Sequence, residues 1–270
     1  MVEKKIEDLD LTQIIESGQS FRMEKEDDRY TLIAMDRKIT IYQDGTTFHF
    51  DCTEEEFDRI WSSYFDLDTD YHAIKESVEP CDIYLKTAVK EGYGVRILRQ
   101  DFWEMIVTFL ISQNNNITRI KKSVELLCQT TGKVKVDDEG KEYHCFPDAQ
   151  HIVNAGMEVL STLGLGYRDK YIYRTALEVV EGRLHLEDIQ EMGYEDAHKK
   201  LTELYGIGKK VADCICLFGL HHVDAFPIDT HVKKILEQHY PNGFPFERYK
   251  GYAGILQQYM FYYNLKQLKH

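Results

Sequence analysis

The chain has 270 residues, of which 43% are hydrophobic and 29% are charged, and only five are proline. This composition excludes a largely disordered chain and leaves room for one large or two modest domains. No stretch is long and apolar enough for a membrane span or a signal peptide, so we expect a soluble, cytoplasmic protein.

The net charge of −13 is distributed unevenly along the chain. Residues 1–90 contain 11 basic and 22 acidic side chains, whereas residues 91–270 contain 22 basic and 24 acidic ones. Lysine pairs at 199–200, 209–210 and 233–234 make the later part locally basic. Any nucleic acid partner is therefore expected to bind this later part. The six cysteines form no Cys-x-x-Cys pair, so no structural zinc site is expected.

The first 50 residues predict an antiparallel sheet. β-rich runs lie at 29–35, 38–42 and 46–50, and Asp44-Gly45 provides a hairpin turn between the last two. Residues 17–22, Ser-Gly-Gln-Ser-Phe-Arg, come before these strands and predict a loop.

An acidic segment follows the predicted sheet. Thr53 and the glutamates after it predict a capped helix, and residues 65–70, Phe-Asp-Leu-Asp-Thr-Asp, interrupt it before another helix near 71–78. The carboxylates do not form a calcium loop of the EF-hand type, because its glycine and terminal glutamate are missing. We interpret this segment as a solvated acidic face.

From Asp101 onwards the pattern is mostly helical. Residues 102–111 are apolar nearly all round, which predicts a core helix. Asn114-Asn115-Asn116 then predicts a turn into the next helix. Residues 131–146 predict an exposed loop or hairpin, and residues 164–168 connect two helical runs.

Two glycines, Gly206 and Gly208, separate two helical runs at about 197–220. Glycines allow a sharp turn and a close approach of the backbone to a ligand. The free N–H groups that begin the second helix suit a phosphate oxygen. This unit resembles the helix-hairpin-helix, which binds a DNA backbone without reading its bases. An ordinary corner between two helices would also use two glycines.

Lys210 and Asp229 lie at the starts of two successive helical runs. Lys210 is in the first turn of its helix, with Cys214 one turn later. The positive helix end and the neighbouring Lys209 disfavour its ammonium form, and a neutral amine is a nucleophile. The alternative is a solvated lysine or a phosphate clamp. Asp229 is predicted to cap its helix, which would hold an ionised carboxylate in one orientation.

Residues 206–214 and 227–231 together resemble the helix-hairpin-helix, loop and aspartate of a DNA glycosylase superfamily, and more narrowly of the 8-oxoguanine DNA glycosylases. The resemblance also includes residues 17–22, 111–117, 163–168 and 252–254, in the same order along nearly the whole chain. It implies an α+β fold. An N-terminal antiparallel β-sheet domain at 1–98 would precede a mostly α-helical glycosylase domain at 99–270.

The resemblance implies two catalytic residues and a base pocket. Lys210 would attack the sugar and form a Schiff base, and Asp229 would stabilise the positive charge that develops on the sugar. The Gly18 carbonyl would accept a hydrogen bond from the ring N–H that distinguishes 8-oxoguanine from guanine. In the pocket Gln257 would hydrogen-bond to the base and Phe261 would stack on it. The residues implied for the base pocket are Gly18, Cys214, Pro227, Gln257 and Phe261.

DNA contacts are implied in the same way. Asn114 would enter the space left by the extruded base, and Arg119 would contact the orphaned partner base. Tyr167 would distort the duplex, and Arg168 would bind the cytosine opposite the lesion. The residues implied for DNA binding are Asn114, Arg119, Tyr167, Arg168, Gly206, Gly208 and His231.

The hairpin departs from the family pattern at two positions. Tyr205 stands where proline is usual, and Lys209 adds a second lysine next to the nucleophile. The choice of Lys210 over Lys209 therefore depends on its spacing from Cys214. No cofactor is implied, although a cation could be held at the hairpin by the backbone carbonyls of Thr202, Leu204 and Ile207.

The function implied by the resemblance is a bifunctional DNA glycosylase and AP lyase of base excision repair. It would excise 8-oxoguanine opposite cytosine by base flipping and then cleave the strand by β-elimination. We expect a monomer acting on duplex DNA, associated with the nucleoid if the source is bacterial. One alternative is another lysine-type glycosylase, for pyrimidines or adenine. The iron–sulfur loop common in those enzymes is missing, because no cysteine follows Cys216. Non-catalytic DNA binding and protein interaction are further alternatives.

Overall fold

The computed structural model describes residues 1–268 and begins with a five-stranded antiparallel sheet. Alternate residues of its strands are buried, among them Leu32, Ile41 and Phe50, as the period of a half-buried strand requires. The strand order is β1-β5-β4-β3-β2. The strands are β1 (Val2–Lys5), β2 (Met23–Glu26), β3 (Arg29–Ala34), β4 (Arg37–Asp44) and β5 (Thr47–Phe50).

The predicted hairpin after Asp44 is confirmed. Asp44 pairs with Thr47 at the end of β4, so a two-residue turn that contains Gly45 joins the strands. Residues 17–22 contain no helix or strand, as predicted.

Helices make up most of the remaining chain, and the predicted α+β fold class is confirmed. Their bounds are α1 (Leu11–Glu16), α2 (Glu54–Glu56), a π-helical turn (Phe57–Trp61), α3 (Ser62–Tyr64), α4 (Tyr71–Glu76), α5 (Ile83–Glu91), α6 (Phe102–Ser112), α7 (Ile117–Thr131), α8 (Ala149–Thr162), α9 (Arg168–Val180), α10 (Leu186–Gln190), α11 (Tyr194–Thr202), α12 (Lys209–Phe218), α13 (Thr230–His239) and α14 (Ala253–Gln267). A short hairpin, β6 (Val134–Val136) with β7 (Glu142–His144), lies between α7 and α8, as predicted. None of the helices among the described residues is long and apolar enough to cross a membrane.

Helix α6 is the buried helix that its composition predicts. All ten residues from Phe102 to Ile111 are buried, and Asp101 caps the helix by accepting a hydrogen bond from the Glu104 backbone N–H. The asparagine run that follows is the expected turn, because the Asn116 side chain caps α7.

The acidic segment at 65–70 is only partly solvated, so the prediction of a solvated face was wrong for Asp66. Its side chain is fully buried. The carboxylate accepts 2.8 Å hydrogen bonds from Nε of Arg99 and from the hydroxyl of Tyr71. Nε2 of His221 lies 3.2 Å away. Burial is tolerated because these donors replace the water that the carboxylate loses.

The described chain divides into two compact units, each of which is discontinuous in sequence. Unit 1 contains Met1–Thr31, Ile39–Arg99 and the chain from His221 onwards, and unit 2 contains Leu32–Lys38 and Gln100–Leu220. The contiguous division into 1–98 and 99–270 stays a prediction.

Candidate functional site

The two hairpin glycines of unit 2, Gly206 and Gly208, differ in whether a side chain would fit at their positions. Gly206 has a φ of +92°, and a Cβ atom there would lie 2.5 Å from the ring of Tyr171, so a side chain is excluded on both grounds. Gly208 caps α12 with a φ of −91°, and a Cβ there would meet nothing within 4 Å. The space beside Gly208 is therefore open to a ligand at the N-terminus of α12.

Aromatic packing supports the turn where the family pattern has a proline. The ring of Tyr205 lies 5.0 Å from that of Tyr171 at an angle of 90°, and the Arg174 guanidinium lies 4.6 Å from the Tyr205 ring. This geometry favours edge-to-face and cation–π attraction. The turn is thus held by side-chain contacts instead of by a proline ring.

The surroundings of the two hairpin lysines differ. Lys209 is exposed, whereas Lys210 is half-buried, and its Nζ lies 6.0 Å from the centre of the Phe109 ring. Cys214, one turn later on α12, is buried. The partly buried position of Lys210 beside Phe109 suits a nucleophilic amine better than the exposed position of Lys209. The catalytic assignment of Lys210 stays a prediction that this geometry favours.

The turn after α6 and the turn before α9 are joined within unit 2. Nε of Arg168 donates a 2.8 Å hydrogen bond to the Gln113 carbonyl, and other guanidinium nitrogens bind the carbonyls of Asn114 and Leu165 at 3.0 and 3.1 Å. The guanidinium also lies 4.7 Å from the ring of Tyr167. Asn114, Tyr167 and Arg168 are therefore brought together.

The residues of unit 2 that are predicted to contact DNA through their side chains differ in how exposed those side chains are. Asn114 and Tyr167 are exposed, and so is Arg119 on the first turns of α7. Arg168 is buried and uses its donors on backbone carbonyls. To bind a cytosine, its guanidinium would have to leave these carbonyls, so the role implied for Arg168 stays a prediction.

In unit 1 the loop at 17–22 is attached to α14. The side-chain amide of Gln258 donates a 2.5 Å hydrogen bond to the Ser17 carbonyl. The buried Gln19 side chain donates to the Arg96 carbonyl at 2.7 Å and accepts from the Leu98 backbone N–H at 2.9 Å. Gly18 has a φ of +73° between these two anchored residues, a conformation that favours glycine.

Gln258 was not among the predicted site residues. Its importance could be suspected only from its position next to Gln257, because the carbonyl it binds is 241 residues away in the sequence.

Two predicted base-pocket residues lie one turn apart on α14. Gln257 is 3% exposed, and its Oε1 has no hydrogen-bond partner among the described residues. A buried acceptor without a partner costs about 1–3 kcal/mol. Phe261 is partly exposed, and its ring meets that of His231 edge to face at 6.2 Å. An acceptor next to an accessible aromatic face is an arrangement that can bind a flat, donor-bearing ligand.

Asp229 caps α13, as predicted. Its carboxylate accepts hydrogen bonds from the backbone N–H groups of His231 at 2.9 Å and Val232 at 2.8 Å. Pro227 is buried just before it. Nδ1 of His231 lies 3.2 Å from the side-chain oxygen of Asn264 on α14. The carboxylate is therefore fixed in orientation, which suits a group that stabilises a nearby positive charge.

No group of three or more His, Cys, Asp or Glu side chains that could hold a metal ion occurs within residues 1–268. The hairpin offers backbone carbonyls instead. Thr202 ends α11, and the Leu204 carbonyl accepts a 3.1 Å hydrogen bond from the Ile207 N–H. A helix end leaves carbonyls without intrahelical partners. The cation at Thr202, Leu204 and Ile207 stays a prediction.

Two family models match the chain. The model of the 8-oxoguanine DNA glycosylase N-terminal domain matches residues 1–106, and that of the HhH-GPD superfamily base excision DNA repair protein matches residues 107–243. An N-glycosylase/DNA lyase from Saccharomyces cerevisiae is 38% identical over 158 residues, which cover 54% of this chain and 42% of that protein. The chain therefore spans less than half the length of this curated relative.

Solved structures match over nearly the whole chain. The Clostridium acetobutylicum 8-oxoguanine glycosylase/lyase, in complex with double-stranded DNA containing cytosine opposite 8-oxoG, is 34% identical with a TM-score of 0.91, and the match covers 99% of this chain and 98% of that one. The protein MBOgg1, in complex with a low-affinity DNA ligand, is 37% identical with a TM-score of 0.91, covering 98% and 94%. This chain belongs to the 8-oxoguanine glycosylase/lyase family. The predicted family membership within the HhH-GPD superfamily is confirmed.

The predicted site residues of this family member are distributed between the two units. Those in unit 1 are Gly18, Pro227, Asp229, His231, Gln257 and Phe261. Those in unit 2 are Asn114, Arg119, Tyr167, Arg168, Gly206, Gly208, Lys210 and Cys214.

Proposed function

We propose that this chain is a bifunctional DNA glycosylase that excises 8-oxoguanine from duplex DNA and then cleaves the strand at the abasic site. The observation that carries the proposal is the half-buried Lys210 at the start of α12, packed near Phe109, in a chain of this family. A partly buried lysine at the start of a helix can supply the amine that attacks a sugar carbon.

Base flipping is the first step of the proposed reaction. A base inside the duplex cannot be attacked, so its nucleotide must leave the stack at a cost of a few kcal/mol. Asn114 and Tyr167 are exposed on neighbouring turns and would fill the gap and hold the duplex open. The N–H groups beside Gly208 would bind a phosphate and fix the strand on α12.

Recognition of the flipped base would use unit 1. The carbonyl of Gly18 would accept the ring N–H that 8-oxoguanine has and guanine lacks. Gln257 supplies a buried Oε1 that has no partner among the described residues, and a donor on the base would satisfy it. Phe261 would stack on the ring.

Lysine chemistry would complete the reaction. The neutral amine of Lys210 attacks the anomeric carbon, the bond to the base breaks, and the base leaves with the electron pair of that bond. The aminal that results opens to a Schiff base, and loss of the neighbouring sugar proton then expels the phosphate by β-elimination. The fixed carboxylate of Asp229 would stabilise the positive charge of the sugar in the transition state.

The preference for the base that lies opposite 8-oxoguanine would depend on two arginines, Arg119 and Arg168. Arg119 is exposed on α7 and can offer donors to the acceptor edge of a cytosine. Arg168 can join it once its guanidinium leaves the carbonyls of the asparagine turn. We propose a preference for cytosine on this basis, with one copy of the chain acting on one duplex.

Borohydride trapping tests the function and the nucleophile together. The protein is incubated with a duplex that contains 8-oxoguanine opposite cytosine, borohydride is added, and covalent adducts are separated by denaturing electrophoresis. The wild type is expected to form an adduct and Lys210→Gln none. The matched variant Lys209→Gln should keep adduct formation, because the Lys209 side chain is exposed.

The same duplex with guanine in place of the lesion is the control and should give no adduct. An adduct lost in Lys209→Gln but kept in Lys210→Gln would move the nucleophile to Lys209. Salt-sensitive DNA binding without base release from any damaged duplex would leave a non-catalytic DNA-binding protein.

A further inference from the structure

A half-buried polar cluster, made of Asp213, Tyr194 and His198, lies beside Lys210 in unit 2. Asp213 stands three residues after Lys210 on α12, and this separation places two side chains next to each other on a helix. The Asp213 carboxylate accepts a 2.7 Å hydrogen bond from the hydroxyl of Tyr194 and lies 3.3 Å from Nε2 of His198. Tyr194 and His198 are one turn apart on α11, so one face of that helix supplies both contacts.

The Asp213 side chain is only 15% exposed. Burial raises the pKa of its carboxyl group, and the hydrogen bond from Tyr194 and the charges of His198 and Lys210 reduce this effect without cancelling it. A carboxylate in this environment accepts a proton more readily than a solvated aspartate does. Asp213 thus combines closeness to Lys210 with increased basicity.

Cys216 on α12 and Glu104 on α6 are less suited than Asp213 to take the proton of Lys210. Burial and the charges of Asp213 and Cys214 raise the pKa of Cys216 to about 12, so its thiol is already protonated. Helix α6 also packs against α12, but it presents the apolar Phe109 to Lys210, while its Glu104 lines a separate cavity.

The proposed reaction requires Lys210 to be a neutral amine, so an ammonium group must first lose a proton. We propose that Asp213 accepts this proton and that Tyr194 and His198 hold its carboxylate in the position for the transfer. One Nζ–H bond breaks and one carboxyl O–H bond forms, and the pair carries no net charge before or after the step. This inference depends on the proposed function, because it assigns a role in preparing the same nucleophile.

Two other roles for Asp213 lead to different results. A purely structural link between α11 and α12 would make its loss harmful at every pH. A carboxylate that only stabilised the ammonium form of Lys210 would slow the reaction, and its removal would accelerate base release. The pH dependence of the rate separates these roles from proton transfer.

The experiment compares the wild type with Asp213→Asn, Tyr194→Phe and Asp196→Asn in single-turnover release of 8-oxoguanine from pH 6 to pH 10. Asparagine keeps the size of the side chain and can still accept the bond from Tyr194. Asp196 is an exposed carboxylate on α11, so its variant is a matched control for loss of charge. Thermal unfolding by circular dichroism is recorded for each variant.

Asp213→Asn is expected to release base about 100-fold more slowly at pH 7, the usual size of an effect of proton transfer. Its rate should rise with pH and approach that of the wild type near pH 10, because solvent then removes the lysine proton. Tyr194→Phe should show a smaller loss with the same pH dependence. The rate of Asp196→Asn should stay within about twofold of the wild type, as is usual for an exposed charge.

If Asp213→Asn releases base at pH 7 as fast as the wild type or faster, the proposal is overturned. A loss of equal size at every pH, together with a lower unfolding temperature, would show a structural role instead. If the wild type itself forms no borohydride adduct, the proposed function fails and this inference fails with it. An active wild type with an unaffected Asp213 variant overturns only the role of Asp213.

Discussion

The side-chain amide of Gln258 donates its hydrogen bond to the backbone carbonyl of Ser17 over a sequence separation of 241 residues. Both residues are buried. The bond attaches the loop that carries Gly18 to α14, directly beside Gln257. The position of the Gly18 carbonyl therefore depends on a side chain that has no contact with the base in the proposed mechanism.

We predict that Gln258→Met reduces the discrimination between 8-oxoguanine and guanine. Methionine has a similar length but no amide donor, so the fold should lose about 1–3 kcal/mol of stability, because the buried Ser17 carbonyl is left without this donor. The ratio of excision rates for the two bases should fall about tenfold, which is the loss of about 1.4 kcal/mol of selective binding. Single-turnover assays on both duplexes measure this ratio.

Gln267→Met is the matched control, because Gln267 is an exposed glutamine on the same helix. It should leave the ratio unchanged. Equal ratios for the wild type and Gln258→Met would show that the loop keeps its position without this bond.

Gln257 offers a prediction in which stability and activity change in opposite directions. Leucine has nearly the shape of glutamine but no acceptor, so Gln257→Leu removes a buried oxygen that has no partner among the described residues. We expect the free energy of unfolding to stay the same or to increase by up to about 1 kcal/mol, because no polar atom is then left unpaired. Excision of 8-oxoguanine should fall at least tenfold.

Urea unfolding and single-turnover excision measure the two effects on the same preparation. A variant that is both less stable and fully active would show that Gln257 serves the core and not the base.

The two hairpin glycines provide a matched pair. Gly206→Ala forces a Cβ atom to within 2.5 Å of the Tyr171 ring at a φ of +92°, so we expect a loss of about 2 kcal/mol or more. Gly208→Ala meets no atom within 4 Å and should fold normally. Its added methyl group lies where a phosphate would approach, so it should weaken binding to duplex DNA.

Thermal unfolding and fluorescence anisotropy with a labelled duplex separate the two effects. Normal DNA affinity in Gly208→Ala would place the phosphate contact elsewhere.

The sequence predicted the elements whose signals are local. The β-rich composition of β3 to β5, the apolar composition of α6, and the caps at Thr53 and Asp229 each depend on a few adjacent residues, and the structure has all of them. The surroundings of a side chain could not be predicted where its contacts come from residues that are distant in the sequence. Asp66 was expected in water because its neighbours in sequence are polar, whereas Arg99 and His221 enclose it from far along the chain. The Gln258 bond was missed for the same reason.

The contacts of Asp213 could not be predicted from the sequence either. Asp213 stands in the same helical turn as Lys210, but its contacts with Tyr194 and His198 require two helices to be folded side by side. The site residues were predicted from the resemblance to a known family, whereas their distances and burial became visible only in the folded structure.

The buried carboxylate of Asp66 makes stability depend on pH in the acid range. Burial alone would raise its pKa, but hydrogen bonds from His221 and Tyr71 and the charges of His221 and Arg99 outweigh burial and lower the pKa to about 2. The ordinary value is 3.8, so the folded state binds this proton less tightly than the unfolded state. The resulting stabilisation is fully present above about pH 4 and is lost as the pH falls towards 2.

We therefore predict that Asp66→Asn lowers the free energy of unfolding by about 3 kcal/mol at pH 7, because it removes the fully buried carboxylate that Arg99 and His221 contact. About 2 kcal/mol of this difference should disappear between pH 4 and pH 2, where the wild type loses the same charge. Urea unfolding at a series of pH values measures both effects. Asp68→Asn, two residues later on the exposed side of the same segment, is the control and should be neutral throughout. A difference between wild type and Asp66→Asn that stays constant down to pH 2 would mean that Asp66 stabilises the fold by its shape and not by its charge.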